Sequence, residues 1–147
     1  MKQVSRSALV SFSAEQMFKL VNDVASYPDF LPGCSGSRVI ESHDSAMVAA
    51  VDVSKAGISK TFITSNQLVL DEAILMNLVD GPFKTLKGGW FFTALDDQAC
   101  KVELKLEFEF SSKMIELAFG KVFNELTSNM VNAFTQRAKQ VYSCYEY

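Results

Sequence analysis

Side chains suited to acid–base or nucleophilic work are few in this chain, and their spacing argues against an assembled active site. His43 is the sole histidine and sits beside Asp44 in a His43-Asp44-Ser45 stretch that reads as a hairpin turn, the ordinary place of a solvated side chain. A Ser-His-Asp or Cys-His assembly needs an imidazole between nucleophile and acid, so any such site would depend wholly on that turn. Cys34, directly after Leu31-Pro32-Gly33, is a candidate reactive thiol. A small half-buried residue closing a loop is the plainer reading, because reactivity demands both access and a depressed pKa. Glu103, Glu107 and Glu109 are available carboxylates, but they alternate with apolar residues and fall on the wet face of a strand. Cys34, Cys100 and Cys144 are odd in number and lack CxxC spacing, which argues for reduced thiols rather than a disulfide framework or a zinc site. No phosphate-cradling loop, dinucleotide fingerprint or metal-ligand cluster is present. The expectation is a binding protein, not an enzyme.

Binding residues must be positioned by larger elements, and the C-terminal third supplies two. Val102, Leu104, Leu106, Phe108 and Phe110 alternate with Glu103, Lys105, Glu107 and Glu109, the two-residue period of a strand with one wet face. Ser111 and Ser112 break that pattern. Ile115, Phe119, Val122, Phe123, Leu126, Met130, Phe134, Ala138 and Val141 then recur at spacings of three and four, marking a helix from about Lys113 to Tyr142 with one broad apolar stripe. At 1.5 Å per residue it is roughly 45 Å long and crosses a whole sheet face.

A sheet gripping such a helix leaves room for a hollow. Its candidate wall is Phe30, Phe62, Trp90, Phe92, Phe108, Phe110, Phe119, Phe123, Leu126 and Met130. Asn66 shares strand parity with Phe62, Thr64 and Leu68 and so offers an interior amide, which requires a partner. Ordinary core packing is the competing account, since burying each large apolar side chain is worth roughly 1.5–3 kcal/mol without any ligand. Gly88 and Gly89 beside Trp90 remove bulk and permit a bulge or close approach. Whether Trp90 and Phe92 face inward or outward stays open, because a one-residue slip exchanges the faces.

Upstream, residues 3–11 read as a first strand, with Arg6 at the inward parity of Val4, Ala8 and Val10. Ser13 and Gln16 form a capping box for a helix from Ala14 to about Val24. Tyr27-Pro28-Asp29-Phe30-Leu31-Pro32-Gly33 then allows only a short helical turn or compact loop. Strands are expected near 37–43, 46–54, 59–71, 73–80, 86–95 and 99–111, with a loop at Asp80-Gly81-Pro82-Phe83. This order predicts an α+β helix-grip fold, an antiparallel sheet wrapped around a long C-terminal helix, with two short helices after the first strand.

The 147 residues, 48% hydrophobic with twelve Phe, suit a single domain over 1–147. A formal charge of −3 without a polybasic block disfavours nucleic-acid binding through bulk charge, while leaving a local patch open. The start, MKQVSRSALV, lacks an apolar signal region, and no run approaches the roughly 20 apolar residues of a membrane span, so a soluble cytoplasmic protein is expected.

YPDFLPGCSGSRV at 27–39, TFITSNQL at 61–68, LVDGPFKTLKGGWFF at 78–92 and VELKLEFEF followed by AFGKVFNEL and MVNAFTQRAKQVY together resemble the polyketide cyclase / coenzyme Q-binding START-like family. The resemblance spans roughly 3–143 and implies a START-like, Bet v 1-like helix grip with an apolar cavity. Its quinone-binding branch implies a polyprenyl quinone, ubiquinone or similar lipid as ligand. Its toxin branch, the nearer one, implies binding to the large ribosomal subunit, a block on subunit joining, and an antitoxin partner. Some relatives are aromatases or cyclases. One departure stands at the expected cavity mouth, where many members read Leu-Pro-Trp-Cys and this chain has Leu31-Pro32-Gly33-Cys34. For a ribosomal partner, the expected surface is Lys84 and Lys87 with Pro82 and Phe83; Lys55, Lys60, Arg137 and Lys139 are further cations, for which plain solvation is the competing account.

Overall fold

The computed structural model describes residues 2–55 and 57–142, so Cys144 and Glu146-Tyr147 lie outside the described residues. Chain order is β1 (Lys2–Val10), α1 (Ala14–Asn22), a 3-10 helix (Val24–Asp29), β2 (Cys34–Ser42), β3 (Ala46–Lys55), β4 (Ile58–Val69), β5 (Ala73–Asp80), β6 (Phe83–Asp96), β7 (Ala99–Phe110) and α2 (Lys113–Tyr142). All strands pair antiparallel in one seven-stranded sheet of order β1-β7-β6-β5-β4-β3-β2. Strands β2 to β7 are successive hairpin neighbours, and β1 closes on β7 with Val4 opposite Leu106 and Val10 opposite Cys100. The two short helices carry the chain from one sheet edge to the other, while α2 buries Phe119, Phe123, Leu126 and Phe134 against the inner face.

Local chemistry sets the element ends. The Ser13 hydroxyl accepts from the Gln16 N–H at 3.1 Å and the Gln16 side chain accepts from the Ser13 N–H at 2.9 Å, a complete capping box. Helix α1 stops at Asn22, two residues before the expected end, and the chain tightens into a 3-10 turn that accommodates Pro28. Strand β4 ends at Val69 rather than 71, because Asp71 adopts a left-handed φ of 61° in the turn to β5.

The sharpest departure concerns β6, which begins at Phe83 rather than near 86. Strands β5 and β6 pair from Ala73 opposite Phe91 to Asn77 opposite Lys87 and then part: Leu78 and Asp80 pair with β4, whereas Phe83 and Leu86 pair with β7. Phe83 turns into that opening. The two glycines beside it are required by backbone approach. A Cβ on Gly88 would stand 2.0 Å from the Lys105 carbonyl oxygen, and one on Gly89 would stand 2.5 Å from that of Ile74.

Candidate functional site

Between the inner sheet face and α2 lies an apolar pocket of about 60 Å³. Room for roughly two waters is all that this represents, well below the ~300–1,000 Å³ of ordinary ligand pockets. Six of the expected wall residues line it: Phe62, Asn66, Trp90, Phe123, Leu126 and Met130. Parity at β6 is resolved, with Trp90 and Phe92 buried and Thr93 exposed.

The other expected wall residues do not line the pocket. Phe92 meets Phe18 edge to face at 5.9 Å beneath α1. Phe108, Phe110 and Phe119 join Phe83 and Phe123 in a continuous ring cluster, with Phe83 stacked on Phe110 at 5.3 Å and Phe108 edge-on to Phe123 at 4.9 Å. Phe30 packs on Phe134 at 5.1 Å and lies under the Arg137 guanidinium, also at 5.1 Å. These rings fill space rather than enclose it.

Polar groups of the pocket are largely occupied by one another. Thr64 donates to the Asn66 carbonyl oxygen at 2.7 Å, which leaves the amide N–H groups as the donors this residue can offer elsewhere. Thr127 donates to the Phe123 carbonyl at 3.0 Å, and the fully buried Tyr27 hydroxyl donates to the Val21 carbonyl. Burial, with Cys34 and Asp23 nearby, raises the Tyr27 pKa, so its phenol stays protonated. Sequence reasoning missed Tyr27 and Thr127 as lining residues. Thr127, adjacent to Leu126 and four residues from Phe123, was visible as a neighbour of the apolar stripe.

The expected partner surface is only half on the surface. Pro82 and Phe83 are buried, because the parting of β5 and β6 draws the Phe83 ring into the aromatic cluster. Lys84 and Lys87 are exposed, yet Lys84 lies 3.5 Å from Glu109 and Lys87 3.7 Å from Glu107. Glu103 likewise has Lys101 and Lys105, each at 3.7 Å. Register between β6 and β7 sets Lys87 opposite Glu107 and Lys84 next to the Thr85–Glu109 pair, while Lys101, Glu103 and Lys105 alternate along β7 itself, so this face carries mixed rather than purely basic charge. Arg6 keeps the inward parity, reaching the Ser128 hydroxyl of α2 at 3.4 Å, but at edge strand β1 it remains exposed rather than buried.

The candidate nucleophile and base are poorly placed for chemistry. Cys34 is buried, and that burial raises its thiol pKa, with a backbone hydrogen bond of Gly36 partly offsetting it. The thiol itself donates to the Gly36 carbonyl at 3.3 Å. Burial pushes the Cys100 thiol up to about 11. His43 is exposed in the β2–β3 turn, where its backbone N–H donates to the Ala46 carbonyl at 2.8 Å. Among the described residues, no three His, Cys, Asp or Glu side chains are grouped to hold a metal, and no helix is long and apolar enough to cross a membrane.

A twisted antiparallel sheet gripping one long helix over an apolar interior defines the START-like class, and residues 10–135 match the model of the polyketide cyclase / dehydrase and lipid transport family, to which this chain belongs. Within it, the chain is 82% identical over 142 residues to the ribosome association toxin RatA of Vibrio cholerae, covering 97% of this chain and 99% of that one. A more distant relative is the coenzyme Q-binding protein COQ10 homolog B of Xenopus laevis, 26% identical over 144 residues, 95% of this chain and 59% of that protein. The Zhui aromatase/cyclase of Streptomyces sp. R1128 shares the fold with a TM-score of 0.81 over 98% of both chains at 18% identity.

Proposed function

We propose that this protein is a non-enzymatic cytoplasmic toxin that binds the large ribosomal subunit and blocks subunit joining. The observation that carries the reading is the 82% identity with a ribosome association toxin over nearly the full length of both chains. Co-sedimentation with purified large subunits tests the proposal. Binding that weakens as salt rises is expected if lysines meet phosphates, and replacing Lys84 and Lys87 by Gln should shallow the salt slope by about one unit per lost contact. Folded protein that never pellets with large subunits, even at low salt, would sink the proposal.

A second reading, binding of ubiquinone or another lipid in support of respiration, is favoured by the apolar interior pocket and by the coenzyme Q-binding relative. Mass spectrometry of an organic extract of the purified protein tests it. Recovery of a stoichiometric quinone or lipid supports this reading.

A further inference from the structure

Eleven of the twelve phenylalanines meet another aromatic ring, and among the described residues Phe91 alone does not. It takes the outward parity of β6, between the buried Trp90 and Phe92, and stays outside the apolar core. Beside it, on the side of β1, β7 and β6 opposite α2, lies a groove of about 390 Å³. That volume falls within the ~300–1,000 Å³ of ordinary ligand sites, as the interior pocket does not. Gln3 and Ser5 of β1, Lys105 and Glu107 of β7, and Lys87 of β6 line it with Phe91, while Gly88 adds no side chain to fill it. Register gathers them, with Gln3 opposite Glu107, Glu107 opposite Lys87, and Ser5 opposite Lys105.

The polar groups around the ring hold one another only loosely. Lys105 carries its ammonium 5.8 Å over the centre of the Phe91 ring and 3.7 Å from Glu103, a long cation–π contact and a long ion pair. Lys87 lies 3.7 Å from Glu107, to which the Gln3 amide also donates at 3.4 Å. Exposed pairs of this kind are worth little and exchange readily for another partner. Lys87, Lys101 and Lys105 outnumber Glu103 and Glu107, a local excess of one positive charge on a chain whose formal charge is −3. A ring face beside exchangeable cations suits an unpaired nucleotide, whose base stacks on an aromatic while its phosphate meets a lysine. A base inside a duplex has no free face to offer.

Resting on the ribosome-binding reading above, we propose that Phe91 and its groove receive an unpaired nucleotide of large-subunit RNA. The base takes the ring face that lies under the Lys105 ammonium. Lys105, displaced from the ring, turns with Lys87 to the flanking phosphates, and Gln3 and Ser5 stand beside the edge of the base.

The test measures pelleting with purified large subunits across a salt series, together with chemical probing of the subunit RNA. Phe91→Ala should weaken binding by about 5- to 150-fold with the salt slope unchanged, because stacking releases no counterions. Phe91→Tyr should keep wild-type affinity, whereas Phe91→Leu, apolar but without a π face, should not. Lys105→Gln should instead shallow the salt slope by about one unit. All four variants should melt as the wild type does, since Phe91 and Lys105 lie outside the core. Wild type and Phe91→Tyr should protect an unpaired RNA segment that Phe91→Leu leaves reactive at the same concentration. Wild-type affinity in folded Phe91→Leu overturns the nucleotide site and leaves the ribosomal proposal standing. Loss of binding in Phe91→Leu with no unpaired segment protected by the wild type assigns the groove to a ribosomal protein and overturns the nucleotide site as well. Folded wild type that fails to pellet at any salt overturns both.

Discussion

The indole of Trp90, from β6, and the ring of Phe134, from α2, meet edge to face at 5.2 Å. This contact fastens helix to sheet at the pocket wall, and both side chains are almost completely buried. Tyr27 adds a third ring, 5.3 Å from Phe134, so the 3-10 helix is held to the same point. An edge-to-face pair is worth about 0.5–1.5 kcal/mol beyond its buried area. Sheet, long helix and 3-10 turn therefore share one aromatic junction beside the candidate site.

Leu126→Asp should unfold the protein or come close to it. The side chain is 3% exposed between sheet and helix, and an unpaired carboxylate there has no compensating partner. Thermal denaturation followed by circular dichroism checks this, and a wild-type melting temperature would contradict the helix-on-sheet packing.

Phe92→Ala should cost about 3–5 kcal/mol, because the ring is packed against Phe18 rather than lining a void. Urea denaturation provides the measurement. A loss below about 1 kcal/mol would indicate that the core under α1 is looser than its ring contacts imply.

Gly88→Ala should destabilise strongly, by more than the ~1 kcal/mol of a simple propensity change. Its φ of 147° suits glycine, and the added methyl would meet the Lys105 backbone oxygen at 2.0 Å, an obstacle that cannot rotate away. Amide exchange along β6 and β7 should accelerate with the fall in stability. Unchanged protection would exclude the close strand approach.

Stability should fall as pH rises from about 9 toward 11. The Cys100 thiol is raised by burial from an ordinary 9.0 to about 11, so in that window the unfolded chain has released a proton that the folded chain retains. Its contribution is fully present below the unfolded value and disappears as pH passes the folded one. Cys100→Ala should flatten part of the alkaline slope of urea-denaturation free energy. An identical slope in the variant would count against thiol burial as a cause.

Local periodicity alone determined much of this protein. Alternation from Val102 to Phe110 and the stripe from Ile115 to Val141 identified β7 and α2, and the helix spans Lys113 to Tyr142 as expected, because strand and helix periods depend on neighbours within a few residues. The Ser13–Gln16 capping box was equally legible, being a relation across three residues. Tertiary structure decided which rings line a space and which fill one, for a pocket is what remains after elements far apart in sequence have packed. Phe123 lines the pocket whereas Phe119, one turn earlier on the same stripe, does not, and only the sheet opposite distinguishes them. Phe83 followed the same rule: turn chemistry placed it in a loop, but the parting of β5 from β6 drew it inside. Pairing of Lys84 and Lys87 with Glu109 and Glu107 likewise depends on antiparallel register, which joins residues some twenty positions apart and sets the charge of that face.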